Sequence, residues 1–493
     1  MADDRRSDTI SSISPARSAP RPLRIGLLGL GLEAYWSQFP GLEERLESYV
    51  HQVETRITSQ GREVIQFGLL DSTGRSIEVA HQCRTADVDL LLVYVTTYTL
   101  SAVLLPVLRR NRVPVLLLNL QPTAALDYAA FNELSDRVAM TREWLAYCSA
   151  CPVPEIANLM RRLGMPFHQI TGILSATSAA WTDLEAWLRA AEVVHALEHS
   201  RLGLMGHYYS GMLDIATDLV QVSGRFGIVL EMLEVDELSG LKEPIDESRI
   251  EAKLTQFEST FEIDPECTSA DLRRAAITAG ALDDFVAQHD LAMLAYYYKG
   301  IGVPTNLDTM SSIILGTSLL TARGVIVAGE YEVKNVIAMK ILDLLGAGGS
   351  FTEYYALDFD QDLVLMGHDG PGHPGIAEGR LKVKPLRVFH GKVGAGLSIE
   401  MSVRHGAITL LSIVEDREHG FSLLAAEGEC VPGEALRIGN TNSFYRFPIG
   451  ATAFVEGWNA RGPAHHCAIG TGHVANLIGK IALLLGLPFQ QFC

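Results

Sequence analysis

Apolar runs alternate with amphipathic stretches along the first two thirds of the chain. RIGLLGLG from Arg24, EVIQFGLL from Glu63, DLLLVYV from Asp89 and VPVLLLNL from Val113 are short, rich in Leu and Val, and bounded by polar turns. Such continuous runs predict strands of a parallel sheet, because a strand covered on both faces loses its polar alternation. Between them, GLEERLESYVHQVETRITSQG (41–61) and SAVLLPVLRRN (101–111) set apolar residues at helical spacing, which predicts amphipathic helices. Two more helical stretches are expected around 139–163 and 178–196.

The pattern then restarts. RLGLMGHYYSGM from Arg201 carries a strand into a glycine-containing turn, MLDIATDLVQVSGRFG reads as a helix, and IVLEMLEV as a strand. A charged, helix-rich stretch covers 236–290. LAMLAYYYKG and RGVIVAGE are again buried strands, with GTSLLTA helical between them. From 349 onward, polarity alternates, glycines and prolines multiply and hairpin signals appear, predicting an antiparallel sheet or barrel closed by a last helix, HVANLIGKIALLLG. The expected fold class is therefore α/β: two doubly wound α/β domains followed by a mainly antiparallel, barrel-like β domain. The expected boundaries are 1–23 for a disordered leader, 24–198 and 199–348 for the α/β domains, and 349–493 for the β-rich one.

Composition narrows the function classes. The chain has 493 residues, 40 Lys or Arg against 58 Asp or Glu, and a formal charge of −18. That balance argues against a nucleic-acid partner or an anionic membrane, both of which need clustered basic residues. With 48% hydrophobic residues, a buried core is within reach and wholesale disorder is excluded. Seven cysteines, an odd number thinly spread, indicate a reducing compartment. The leader has no signal-peptide core, and no apolar run reaches the length of a membrane span. A cytoplasmic location is the resulting expectation.

Two motifs invite chemistry that their context does not support. Gly29-x-Gly31-x-x-Ala34 follows a strand, but a dinucleotide fingerprint needs the helix to begin inside the motif. Here Pro40 and the aromatics of LEAYWSQFPG delay the helix. The glycine-rich loop lies at the sheet's carboxyl end, where ligands bind, so Tyr35 and Trp36 are candidate ring-stacking residues, or core. Cys148-x-x-Cys151 sits at a helix end before Pro152, not at the strand-to-helix junction of a redox pair. No second pair completes a zinc site, so inert thiols are expected.

The informative residues begin at Gly329. Glu330 ends the strand RGVIVAG and opens a helix, at the sheet edge where α/β folds put ligands; a macrodipole role at the helix start is the competing explanation. Glu332 and Lys334 are assigned to the solvated face. Further on, EYYALDF and DLVLMGH read as a hairpin. With Asp360-Gln361 as a two-residue loop, Phe359 pairs with Asp362, and Glu353 falls opposite His368. Opposed side chains of an antiparallel pair lie about 4.5–5.5 Å apart at Cβ, so these two either chelate one cation or form a cross-strand hydrogen bond. His465 and His466 follow in a glycine-rich loop after TAFVEGWNA, read as a strand. Adjacent side chains point apart, so one of the two is expected to face the site. Two Glu and two His without cysteine suit Mn²⁺, Mg²⁺, Co²⁺ or Zn²⁺ and disfavour a structural zinc.

These residues resemble the L-arabinose isomerase family and, more broadly, the L-fucose and L-arabinose isomerase-like sugar isomerases. The resemblance rests on VLLLNLQP at 115–122, GEYEVKNV from Gly329, GSFTEYYALDF from Gly349, LVLMGH through His368 and GPAHH at 462–466. It implies Glu330, Glu353, His368 and His466 as metal ligands, with Mn²⁺ the first expectation and Co²⁺ or Mg²⁺ alternatives. Departures concern the substrate: DGPGHPGIAEGR after His368 looks like the fucose side of the group, and LGLEAYW and MGHYYSGM replace the usual substrate-facing segments. His207, Tyr209 and His465 join Tyr35 and Trp36 as candidate substrate contacts.

The resemblance implies an aldose–ketose isomerase acting on a pentose or deoxyhexose through a cis-enediol, with Glu330 and Glu353 sharing acid and base roles. It also implies a homo-oligomer, trimer or hexamer, with a small sugar as its partner. The rival expectation is a non-catalytic sugar-binding or regulatory protein on the same scaffold, which needs none of the four ligands.

Overall fold

A computed structural model describes residues 21–175, 178–299, 302–389, 392–393, 395–418 and 420–493, with 388–389 and 392–393 described by backbone alone. The leader expected over 1–23 lies, up to residue 20, outside the described residues. The chain forms two compact units, divided after His195.

In the unit Arg21–His195, strands β1 (Arg24–Leu30), β2 (Glu63–Leu70), β3 (Leu90–Val95), β4 (Val115–Gln121) and β5 (Phe167–Ile173) form a parallel sheet of order β2-β1-β3-β4-β5. β3 is buried along its whole length and β4 up to Gln121, as continuous apolar runs require of central strands. β5 was not expected; its residues are mostly half-buried or exposed, because it is an edge strand with one neighbour. Helix Leu42–Thr58 buries Leu42, Leu46, Tyr49, Val50, Val53 and Ile57, one face at a spacing of three and four. That helix starts well past Gly31, and only a single 3₁₀ turn, Glu33–Tyr35, follows the glycine loop directly. The Trp36 ring closes over Gly31, where a Cβ would come within 2.9 Å of it, and the Trp36 indole N–H donates to Asp71 Oδ2 at 2.8 Å.

In the unit Ala196–Cys493, β6 (Arg201–Gly206), β7 (Val229–Leu233), β9 (Met293–Tyr297) and β10 (Ile326–Ala328) make a parallel sheet of order β10-β9-β6-β7. The short β8 (Phe261–Ile263) joins β13 (Leu381–Pro385) and β16 (Leu397–Glu400) in a separate small sheet. β14 (Val388–Phe389) and β15 (Lys392–Val393) pair with each other. The rest is largely antiparallel: β11 (Ser350–Asp358), β12 (Leu363–His368), β17 (Gly406–Asp416), β18 (Gly420–Val431), β19 (Thr441–Arg446), β20 (Cys467–Thr471) and β21 (Phe489–Gln491). Their order is β17-β20-β11-β12-β19-β18-β21, and a further β17–β18 pairing closes six of them into a ring. The expected barrel is present. One hydrophobic core runs from Met205 and Leu233 through Val364 to Ile469, so parallel sheet and barrel share an interior. Among the described residues, no helix is long and apolar enough to cross a membrane.

Two local expectations fail. TAFVEGWNA is not a strand but belongs to helix Ala451–Asn459; β-branched and aromatic residues favour strands, but Ala451, Phe454 and Trp458 are buried at helical spacing, and packing outweighs propensity. MLDIATDLVQVSGRFG is helical only at Leu213–Ile215, as one 3₁₀ turn, and again from Leu219 to Phe226. Asp218 caps the second piece, its carboxylate accepting from the Val220 and Gln221 N–H groups, which restarts the helix there.

Candidate active site and cation-binding cluster

Glu330 sits immediately beyond β10. It and Tyr331 both adopt left-handed backbone, φ 56° and 62°, a conformation costing an L-residue roughly 1–2 kcal/mol each. The turn is pinned by Tyr331 N–H donating to Tyr296 C=O and Glu332 N–H donating to Gly329 C=O, both at 3.1 Å. Helix Val333–Leu344 follows, buried at every position from Val333 to Leu342. Glu332 and Lys334 are therefore not on a solvated face: Glu332 is 0% exposed and Lys334 is buried. A helix apolar all round has no solvent side, and the charged pair at its start serves the interior. The Lys334 ammonium donates to Asp214 C=O at 2.7 Å and Ala216 C=O at 3.4 Å, and lies 3.8 Å from Glu415 Oε2.

Glu353 and His368 come from β11 and β12, with a register other than the expected one. The turn is longer than two residues: Asp358 pairs with Leu363, its carboxylate accepts from the Asp360 and Gln361 N–H groups, and Asp362 is left-handed at φ 55°. This Asx-type turn restores the expected offset from Asp358 to Ala356. A bulge between Tyr354 and Ala356 then removes one residue, so Glu353 faces Gly367 rather than His368. Gly367 has no room for a side chain; a Cβ would lie 1.8 Å from Thr441 C=O. His368 ends β12, its Nδ1 2.5 Å from Asp369 C=O, and packs edge-on against Phe351 at 4.4 Å.

His465 and His466 both line the same cavity, whereas one was expected to do so. They immediately precede β20, with ring centres 3.7 Å apart. His465 is held from outside: its backbone N–H donates to Asp214 Oδ2 at 2.9 Å and its Nδ1 lies 2.6 Å from the same oxygen. His466 is 1% exposed; its Nδ1 is 3.2 Å from Glu332 Oε2 and its Nε2 3.3 Å from Glu330 Oε2. Glu330 Oε1 is 4.0 Å from His368 Nε2.

The cavity measures about 230 Å³ and is lined by Glu330, Glu353, His368, His465 and His466 together with apolar residues that include Tyr297, Met310 and Ile314. Donor atoms of Glu330, His368 and His466 lie within 4.8 Å of one another, as do those of Glu353, His465 and His466. Burial raises the Glu330 carboxyl above its ordinary value against the pull of His368, and raises Glu332 as well. Burial, with His368 and His465 adding to it, drives His466 far below the ordinary imidazole value. That direction favours the neutral imidazole, the form that binds a cation. Glu330 Oε2 and His466 Nε2 are buried without a hydrogen-bond partner, a costly arrangement for polar atoms that a cation between oxygen and nitrogen donors would relieve. The residues present fit a divalent ion.

Tyr209 lines this cavity, its ring 4.7 Å from that of Tyr297. His207 is not among the lining residues; its Nδ1 is 2.8 Å from Tyr208 C=O. Tyr35 and Trp36 belong to the other unit and pack there, Tyr35 on Phe39 and Trp36 on Asp71. Sequence reasoning missed Glu332, Lys334 and Asp214. For the first two the signal was present: charges set within the otherwise apolar VIVAGEYEVKNVIAMKIL belong to a helix with no polar face. The Cys148-x-x-Cys151 thiols are free, and burial pushes Cys148 up to about 11, the reverse of a redox thiol.

No family model matches the chain. Curated relatives bear out the resemblance. The L-arabinose isomerase of Aeromonas hydrophila subsp. hydrophila is 20% identical over 471 residues, 90% of each chain. That of Klebsiella pneumoniae subsp. pneumoniae is 23% identical over 428 residues, 81% of this chain and 80% of its own. That of Acidothermus cellulolyticus is 23% identical over 349 residues, 68% of each. A solved conserved domain protein from Vibrio cholerae aligns with 77% of the chain at 9% identity and a TM-score of 0.16, too low to carry a fold argument.

Proposed function

We propose that this chain, similar to L-arabinose isomerases along most of its length, is a divalent-cation-dependent aldose–ketose isomerase acting on a pentose or deoxyhexose as a homo-oligomer. What supports the reading most is the convergence of Glu330, Glu353, His368 and His466 on one cavity, with Glu330 Oε2 and His466 Nε2 buried and unpaired. These four residues would hold the ion, Mn²⁺ in the first instance or Co²⁺ or Mg²⁺, and oxygen and imidazole donors without thiolate suit all three. When bound, it supplies positive charge for two neighbouring sugar oxygens.

The side chains account for the rest. The cavity's apolar wall takes the sugar's carbon face, and the carboxylates and imidazoles take its hydroxyls. One carboxylate, Glu330 or Glu353, removes the proton from the hydroxyl-bearing carbon beside the carbonyl while the carbonyl oxygen takes up a proton, giving a cis-enediol. The carboxylate then returns its proton to the former carbonyl carbon as the other enediol hydroxyl gives up its proton and becomes the new carbonyl. Acid–base help of this kind contributes roughly 10²–10⁴-fold. The buried setting of His368 and His466 keeps bulk water from competing for the transferred proton.

The test is a panel of aldoses and ketoses assayed with Mn²⁺ against wild type, Glu330→Gln and Glu353→Gln. Both variants are expected to fold and to lose at least about 10²-fold in turnover. Near-wild-type isomerisation of any sugar by either variant overturns the assignment. Purified protein with no bound or activating divalent ion would favour sugar binding without catalysis.

A further inference from the structure

The His466 ring lies between two carboxylates, one at each nitrogen, and the two contacts are not equivalent. At Nδ1, Glu332 Oε2 stands at 3.2 Å in hydrogen-bonding geometry. At Nε2, Glu330 Oε2 is 3.3 Å away, yet neither atom has a hydrogen-bond partner. A neutral imidazole carries one N–H, and only the Nδ1 side offers it an aligned acceptor. Glu332 is itself fully buried and touches the cavity through no atom of its own, since it is not among the lining residues. It occupies the N-cap position of helix Val333–Leu344 without a side-chain cap bond. Burial raises its carboxyl, and the charge of Lys334 acts against that, while a carboxyl oxygen in either state can accept from the imidazole N–H. His368 repeats the arrangement with a different acceptor: its Nδ1 faces Asp369 C=O at 2.5 Å and its Nε2 turns toward Glu330.

We propose that Glu332 is a positioning residue that accepts the Nδ1 proton of His466 and so fixes the imidazole with its Nε2 lone pair turned into the cavity toward Glu330. Without this acceptor the ring is free to carry its proton on Nε2, which then donates to Glu330 and occupies the nitrogen needed for a cation. The proposal deepens the cation-dependent reading and rests on it for its consequence, but the tautomer itself does not depend on any cation or activity. Outer partners of this kind typically alter metal affinity by about 10–100-fold.

The experiment compares wild type, Glu332→Leu and Glu332→Gln, all freed of metal with EDTA. Leu removes the acceptor at similar volume, and Gln keeps an oxygen acceptor. ¹⁵N NMR of labelled imidazoles reports which nitrogen of His466 is protonated. Calorimetric titration with MnCl₂ reports affinity. Wild type and Glu332→Gln are expected to hold the proton on Nδ1, and Glu332→Leu to shift it to Nε2. Mn²⁺ affinity should fall about 10–100-fold in Glu332→Leu and recover most of that loss in Glu332→Gln. A wild-type His466 protonated on Nε2 overturns the proposal without any variant. So does a folded Glu332→Leu that keeps wild-type tautomer and affinity. If Glu332→Leu does not fold, the wild-type spectrum and the Glu332→Gln rescue decide the outcome. Wild type that binds no Mn²⁺, Co²⁺ or Mg²⁺ overturns the cation reading instead, while the tautomer measurement still stands or falls alone.

Discussion

Glu330 lines the cavity from left-handed backbone, and a pair of variants measures what that conformation costs. Glu330→Ala and Glu330→Gly both delete the carboxylate, so its burial and charge cancel in the comparison. Alanine keeps the left-handed penalty at φ 56°, about 1–2 kcal/mol. Glycine escapes it but loses about 0.5–1 kcal/mol through the greater freedom of its unfolded chain. The difference leaves Glu330→Gly more stable than Glu330→Ala by about 0–1.5 kcal/mol, with a central value of about 0.75 kcal/mol. At about 2–4 °C per kcal/mol for large domains, the central value puts its thermal midpoint about 1.5–3 °C higher, followed by circular dichroism in EDTA. Adding Mn²⁺ at a hundred times its dissociation constant should raise wild type by about 2.7 kcal/mol and neither variant by a comparable amount. A Glu330→Ala midpoint equal to or above that of Glu330→Gly would refute the idea that this position is strained.

Two further outcomes can be measured as changes in stability. Gly367→Ala forces a Cβ to within 1.8 Å of Thr441 C=O and 2.8 Å of Asn442 Cα, both backbone atoms of β19. A loss of about 3 kcal/mol or more is expected, read as insoluble expression or a lowered midpoint, and wild-type stability would be incompatible with the β12–β19 spacing. In the other unit, Asp89 accepts from Arg21 at 2.7 and 2.8 Å and from the Arg24 N–H at 2.8 Å, and stands 3.4 Å from His195 Nδ1. Burial alone would raise Asp89, but His195 and Arg21 together hold it well below the carboxylate range. Burial alone would lower His195, but Asp89 raises it. The depressed carboxyl stabilises above its unfolded value of about 3.9, and the raised imidazole below its unfolded value of about 6.5. Asp89→Asn should therefore cost most between about pH 4 and 6.5 and less on either side; a cost that grows from pH 6.5 to 9 would contradict this.

The strands β1 to β4 of the first sheet were legible because they are short apolar runs flanked by punctuated helices; their order was not read from the sequence. β5 escaped because FHQITGI, at the sheet edge, mixes polar and apolar positions like a loop. The residues of the cation cluster were legible individually, since Glu and His in glycine-rich contexts at strand ends stand out. Their mutual geometry was not. The Asx-type turn at Asp358 kept the expected offset, and one bulge at Tyr355 displaced the expected Glu353–His368 pairing by a residue; the bulge has no signature beyond common residue types. The supports were harder still: Asp214 reaches His465 across 251 positions, a contact made by tertiary folding and by no local pattern. Glu332 and Lys334 were assigned to solvent because charged residues usually are; their apolar neighbours on every side carried the contrary information.

Ring closure between β17 and β18 has a bearing on how this molecule ages and misfolds. The three staves that lead to the cluster, β20, β11 and β12, are neighbours inside the ring and each has a strand on either side, with β11 pairing to β20 through Ser350–Thr352 and to β12 from Glu353 to Asp358, so none is an outer strand of the sheet. Amides in their middle should exchange with deuterium only when the whole barrel opens, later than those of β5 or β7, which border their sheets. Recruitment of a stray strand, the usual first step toward amyloid-like stacking, would have to start at the outer strands and not where the chemistry is held.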